Sequence, residues 1–131
     1  MFRAFQKSSA IDVVQVYGRN KTALIPFKKQ TDVTQDVDML KNADVYIIAI
    51  TDDHITSFSE KLPLESKLVV HTSGATAMNN LADKHRRGVF YPLQTFSKDK
   101  DVDFTKVPLC LEAAHDEDMV LLTALAKAIT D

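Results

Sequence analysis

The chain has 131 residues, 45% of them hydrophobic and 26% charged, with a net charge of -2 and a single cysteine. That is one ordinary globular domain, long enough to bury roughly two-thirds of its unfolded surface. The balance leaves no basic footprint for nucleic acid, no internal disulfide or cysteine metal cluster, and no apolar run of the roughly 18 residues a membrane span needs.

The opening MFRAFQKSS is too short and too polar for a secretory signal, so a cytoplasmic setting is the default expectation. IDVVQVYG (11–18) reads as a strand. Residues 21–43 hold Pro26, which predicts a broken helix, then a short strand near 31–34 and a short helix near 36–42. DVYIIAI (44–50) is a nearly continuous apolar strand, as expected when both faces are covered. The helix after it shows Ile55, Phe58 and Leu62 at helical spacing, with Asp52 or Asp53 as its N-cap.

KLVVH is a further buried strand, and Met78, Leu81, Ala82 and His85 mark one face of a second helix. The cluster Lys84-His85-Arg86-Arg87 reads as that helix's solvated end. GVFYP (88–92) and VPLCLEA (107–113) are two more strands, the latter making Cys110 a buried, inert thiol. Between them SKDKDVDFTK is a polar loop. An amphipathic helix from about Asp116 turns Met119, Leu122, Ala126 and Ile129 to one side.

Strands alternating with helices predict an α/β sandwich around a mostly parallel sheet. Such sheets bind ligands beyond the carboxyl ends of their strands, which selects four turns. In VYGRN no acid follows the strand; Arg19 offers a planar fork suited to the 2'-phosphate of NADP, or is a surface arginine in a turn closed by Gly18. In AITDD, Thr51 could face a nicotinamide or ribose. Asp52 and Asp53 are adjacent, so they serve a cap better than a shared acid–base or metal centre.

In VVHTSGATAMNN, His71, Thr72, Ser73 and Gly74 offer hydroxyls and, at a helix start, backbone amides for an anion or polar substrate. The G-x-S-x-G elbow of a serine hydrolase is absent, because His71 stands two residues before Ser73. His71 has no partner at metal-ligand spacing. In FYPLQTFS, Pro92 sets a rigid turn, cis or trans, and Tyr91, Gln94 and Thr95 present hydrogen-bonding groups.

Taken in order, VYGRN, DVYIIAITDDHI, LVVHTSGATAMNNL and RRGVFYPLQTFS resemble a bacterial Rossmann-like oxidoreductase family of unknown substrate. Its N-terminal half is similar to pyrroline-5-carboxylate reductase and deazaflavin-dependent NADP oxidoreductase. The family's H-T-S-G turn matches His71 to Gly74, and its H-P-L-Q-T-F run matches Tyr91 to Phe96, with Tyr91 in place of the histidine. The resemblance covers nearly the whole chain.

It implies a three-layer Rossmann-like fold with helices on both faces. It also implies NADP as cofactor, with NAD the other candidate, and a small-molecule substrate. Arg19 and Asn20 would hold the adenosine phosphate end and Ile50, Thr51, Asp52 and Asp53 would line the cofactor. His71, Thr72, Ser73 and Gly74 would face nicotinamide or substrate, and Gln94 and Tyr91 would stand on the substrate side. No general acid is assigned. The family pattern begins with a strand and a glycine-rich turn, G-x-G-N, and continues into a helical domain that pairs subunits. The resemblance therefore implies a partial domain over 1–131, truncated at both ends and inactive alone, from a family whose full-length members are homodimers. With that central strand missing, strand 11–18 is expected either to close against strand 44–50 or to leave a groove.

Overall fold

The β-branched runs become strands that divide into two groups. The computed structural model describes residues 2–93 and 104–130. Strand β1 (Gln15–Tyr17) pairs in parallel with β2 (Asp32–Thr34), Val16 opposite Val33. A four-stranded sheet holds β3 (Tyr46–Ile48), β4 (Leu68–His71), β5 (Arg86–Pro92) and β6 (Leu109–Ala113) in that order. The first three run parallel and β6 returns antiparallel beside β5, Phe90 opposite Leu111. β1 and β3 do not pair, so of the two outcomes expected for residues 11–18, closure is excluded.

Alternation sorts the side chains into two layers. On one face Leu68, Val70 and Phe90 meet Phe5 of helix α1 (Phe2–Lys7) and Leu122, Ala126 and Ile129 of helix α4 (Asp116–Ile129). On the other, Ile48 and Val69 pack against Ile55 of helix α3 (Asp52–Lys61), Leu62 and Leu81. All four residues of β4 are buried, as an apolar run in a covered parallel strand requires. Helix α2 (Lys21–Lys28) rests on β1 and β2 through buried Leu24; Pro26 lies within it without splitting it. The expected helix at 36–42 is a single 3-10 turn, Val37–Met39.

The largest departure falls between β4 and β5. The expected helix bearing Met78, Leu81, Ala82 and His85 is absent; only a 3-10 turn, Met78–Asn80, forms there. Serine, threonine and asparagine compete for backbone groups, and here distant partners take the polar atoms. The buried Ser59 hydroxyl of α3 accepts from the Ala82 amide at 3.0 Å and donates to the Thr56 carbonyl at 2.8 Å. His85 Nε2 meets the Ser59 carbonyl at 2.7 Å.

The basic cluster is therefore no solvated helix end. Lys84 donates to the carbonyls of Glu60 and Leu62 at the carboxyl end of α3, where a cation suits the dipole. Arg86 Nε lies 3.2 Å from both carboxylate oxygens of buried Asp118, and Arg87 donates to the Asn79 and Leu81 carbonyls. Cys110 is also corrected: it is exposed, because β6 alternates and Leu109 and Leu111 take the inward positions. No helix among the described residues is long and apolar enough to cross a membrane.

Candidate functional site

Gln15, the first residue of β1, fixes how the two sheets lie. Its amide donates to the Met39 carbonyl and accepts from the Lys41 amide, both in the segment leading into β3. β1 and β3 therefore start at the same end. The carboxyl ends of β1, β3, β4 and β5 share one edge of the molecule, and the turns singled out above follow them there.

After β1, the Gly18 amide donates to Thr34 at 3.1 Å, extending the ladder. A Cβ on Gly18 would stand 2.8 Å from a Leu24 methyl, so glycine lets α2 seat closely. Asn20 is the N-cap of α2: its side-chain oxygen accepts from the amides of Thr22 at 2.8 Å and Ala23 at 3.4 Å. That cap contributes about 1 kcal/mol and commits the oxygen. The Arg19 side chain is exposed, and no carboxylate pairs with it among the described residues. The first turn of α2 carries no acid and opens with Lys21, a second cation that the sequence reading passed over. Its signal was position, immediately after a capped Gly-Arg-Asn turn.

After β3, Thr51 occupies the N-cap position of α3, not Asp52 or Asp53, and makes no side-chain capping bond. Among the described residues its hydroxyl has no hydrogen-bond partner. Asp52 and Asp53 lie in the first turn, exposed, where carboxylates suit the positive end of the helix. Carboxylates placed so would repel a phosphate and can accept hydrogen bonds from hydroxyl or amide groups. Ile50 stands exposed beside them.

After β4, His71 is fully buried. Its Nδ1 accepts from the Ser73 amide at 3.0 Å, so Nε2 carries the proton and lies 3.4 Å from the Ala77 carbonyl. The imidazole thus shapes its own turn. Ser73 Oγ accepts from the Ala75 amide at 3.2 Å. Because no α-helix begins here, the helix-dipole argument for anion binding at residues 71–74 falls away; what remains is the hydroxyls and the turn. Thr72 and Ser73 are half-buried and Gly74 is exposed.

Tyr91, near the carboxyl end of β5, reaches this turn. A Cβ on Gly74 would lie 2.4 Å from two carbons of the Tyr91 ring and 2.8 Å from its hydroxyl oxygen, so the ring rests directly on the Gly74 backbone. The peptide bond at Pro92 is trans. Gln94 and Thr95 lie outside the described residues. A cavity of about 490 Å³ sits at the opposite end, lined by Arg86, which begins β5, and by His115 to Asp118 at the start of α4. It shares no residue with the turns. Among the described residues no cluster of three metal-ligating side chains occurs.

No family model matches the chain, and no curated protein matches it in sequence. Solved structures do. The "putative NADP oxidoreductase BF3122" of Bacteroides fragilis aligns over 92% of this chain with 32% identity and a TM-score of 0.77. Protein TM1727 of Thermotoga maritima aligns over 99% with 17% identity and a TM-score of 0.75, a likeness of fold. The chain spans 49% and 52% of those two proteins, about half the length of each. The two likenesses establish a Rossmann-like α/β fold.

Proposed function

We infer that this chain, a Rossmann-like domain of the bacterial oxidoreductase kind, is the cofactor-binding part of an NADP-dependent oxidoreductase. The whole protein would transfer hydride to or from a small carbonyl, imine or hydroxy substrate. One observation carries the reading: the turns after β1, β3, β4 and β5 lie on a single edge, and they differ in charge as a dinucleotide does. At the β1 end, Arg19 and Lys21 stand with no acid in the helix turn they open. That favours the adenosine 2'-phosphate, and an arginine fork meets phosphate oxygens in pairs.

At the β3 end, Asp52, Asp53 and the Thr51 hydroxyl are suited to ribose hydroxyls and the carboxamide, and ill suited to phosphate. Thr72, Ser73 and the Tyr91 ring come next, where the nicotinamide or substrate would lie. The Bacteroides likeness supports the choice of NADP. The Asn20 oxygen and His71 position backbone, so the phosphate contacts fall to Arg19 and Lys21. NAD remains the competing cofactor, and the substrate side stays a class.

The second reading is a non-catalytic nucleotide-sensing or protein-interaction domain. Burial of His71 with both nitrogens turned to backbone favours it, since it removes that imidazole from proton transfer. Titration of NADPH and NADH into the chain and into Arg19→Ala tests the first reading. The variant should bind NADPH roughly ten- to a hundredfold more weakly, the cost of a lost charged hydrogen bond of about 1.5–3 kcal/mol, and NADH unchanged. Equal losses for both dinucleotides would remove the 2'-phosphate assignment.

A further inference from the structure

We infer that Gln35, just beyond the carboxyl end of β2, is a positioning residue for the Arg19 fork and so helps set the preference for NADPH over NADH. The inference rests on the NADP reading above and adds to it a residue that touches no part of the cofactor. Gln35 follows Thr34, the last residue of β2, and its Nε2 donates to the Arg19 carbonyl at 3.3 Å, 16 residues back in the chain. A carbonyl only accepts, so the side-chain amide presents its nitrogen here.

That bond completes a set. The backbone around Arg19 is held at three consecutive residues. The Gly18 amide donates to the Thr34 carbonyl at 3.1 Å, the Arg19 carbonyl accepts from Gln35, and the Asn20 side chain caps α2. Two of those three holds come from the end of β2, which is itself fixed. The Asp36 amide donates to Thr34 Oγ1 at 3.1 Å, and the Asp36 side chain accepts from the Asp38 amide at 2.9 Å as the N-cap of the 3-10 turn Val37–Met39. Gln35 therefore stands between two anchored neighbours, which aim it at Arg19.

The Arg19 side chain is exposed and has no carboxylate partner among the described residues. Only its backbone limits where the guanidinium can go. Closing a long side chain on a phosphate costs conformational entropy, and a carbonyl fixed beforehand removes part of that cost. The bond is neutral and lies at the surface, so its contribution is small, about two- to tenfold in affinity. It stays below the loss on removing the arginine itself. The selectivity follows from the route. Gln35 acts through Arg19, and Arg19 meets the 2'-phosphate, which NADH lacks.

The test titrates NADPH and NADH into the chain, Gln35→Met, Arg19→Ala and the double variant. Methionine keeps the length of glutamine and has no N–H to donate. Gln35→Met should bind NADPH about two- to tenfold more weakly and NADH as before. Its urea midpoint should not move, because the side chain is exposed. In the Arg19→Ala background, adding Gln35→Met should change the affinity for neither dinucleotide. Equal weakening of both dinucleotides would make Gln35 a brace for the whole turn and overturn the inference. Unchanged NADPH binding, or a loss that persists without Arg19, would overturn it too. If Arg19→Ala fails to separate NADPH from NADH, the 2'-phosphate assignment falls and this inference with it. If Arg19→Ala separates them and Gln35→Met does not, the inference alone falls.

Discussion

Gly74→Ala probes the contact that joins two of the candidate turns. The new methyl would lie 2.4 Å from two ring carbons of Tyr91, whereas carbon atoms rest at about 3.5–4.0 Å. The ring would have to retreat by more than about 1 Å. Gly74 does not occupy the left-handed region, so alanine meets no backbone penalty there.

Overpacking of this kind costs about 1–3 kcal/mol, and alanine returns about 0.4–1 kcal/mol by stiffening the unfolded chain. The net expectation is a loss of about 1–2 kcal/mol in urea unfolding with an unchanged m-value. In a Tyr91→Ala background the obstruction is gone, and Gly74→Ala should become neutral or stabilising by up to about 1 kcal/mol. The double-mutant cycle should thus give a coupling of about 1–3 kcal/mol. Equal effects of Gly74→Ala in both backgrounds would refute the stacking of Tyr91 on this turn.

Gly88→Ala should cost more than Gly74→Ala, toward the top of the ~1–3 kcal/mol overpacking range. Its Cβ would meet the Glu112 carbonyl oxygen at 2.8 Å and Val70 Cγ1 at 2.9 Å, and backbone cannot swing aside; urea midpoints of the two variants rank them. Arg86→Met leaves the buried Asp118 carboxylate without its guanidinium. The loss should fall below the ~3–5 kcal/mol of a fully buried pair, because the Arg86 side chain keeps 42% of its exposure. Adding Asp118→Asn should recover part of it in the same unfolding assay.

What could be read from the sequence followed how locally each element is determined. β4 was legible because four consecutive buried residues leave no alternative to a covered strand. In α4, Leu122, Ala126 and Ile129 recur at helical spacing and are buried as expected, with Met119 half-buried beside them. Residues 75–85 were misread because Leu81 and His85 are buried at a helical interval for another reason: Ser59, 23 residues before Ala82 and about 80 Å away along a fully extended chain, ties the segment down. No local pattern announces that partner.

Cys110 was misread because an apolar run on an edge strand still turns every second residue outward. At the site, Arg19 and Thr51 stand where strand-end logic put them. The commitment of Asn20 to a cap and of His71 to its own turn depends on hydrogen bonds that spacing alone does not reveal.

Mapping NADPH on the chain by backbone amide chemical shifts tests the central claim most directly. The account predicts shifts concentrated at residues 18–21, 50–53 and 72–74, with those at 18–21 weaker when NADH replaces NADPH. Shifts centred instead on Arg86 and His115 to Asp118, the cavity at the opposite end, would contradict it.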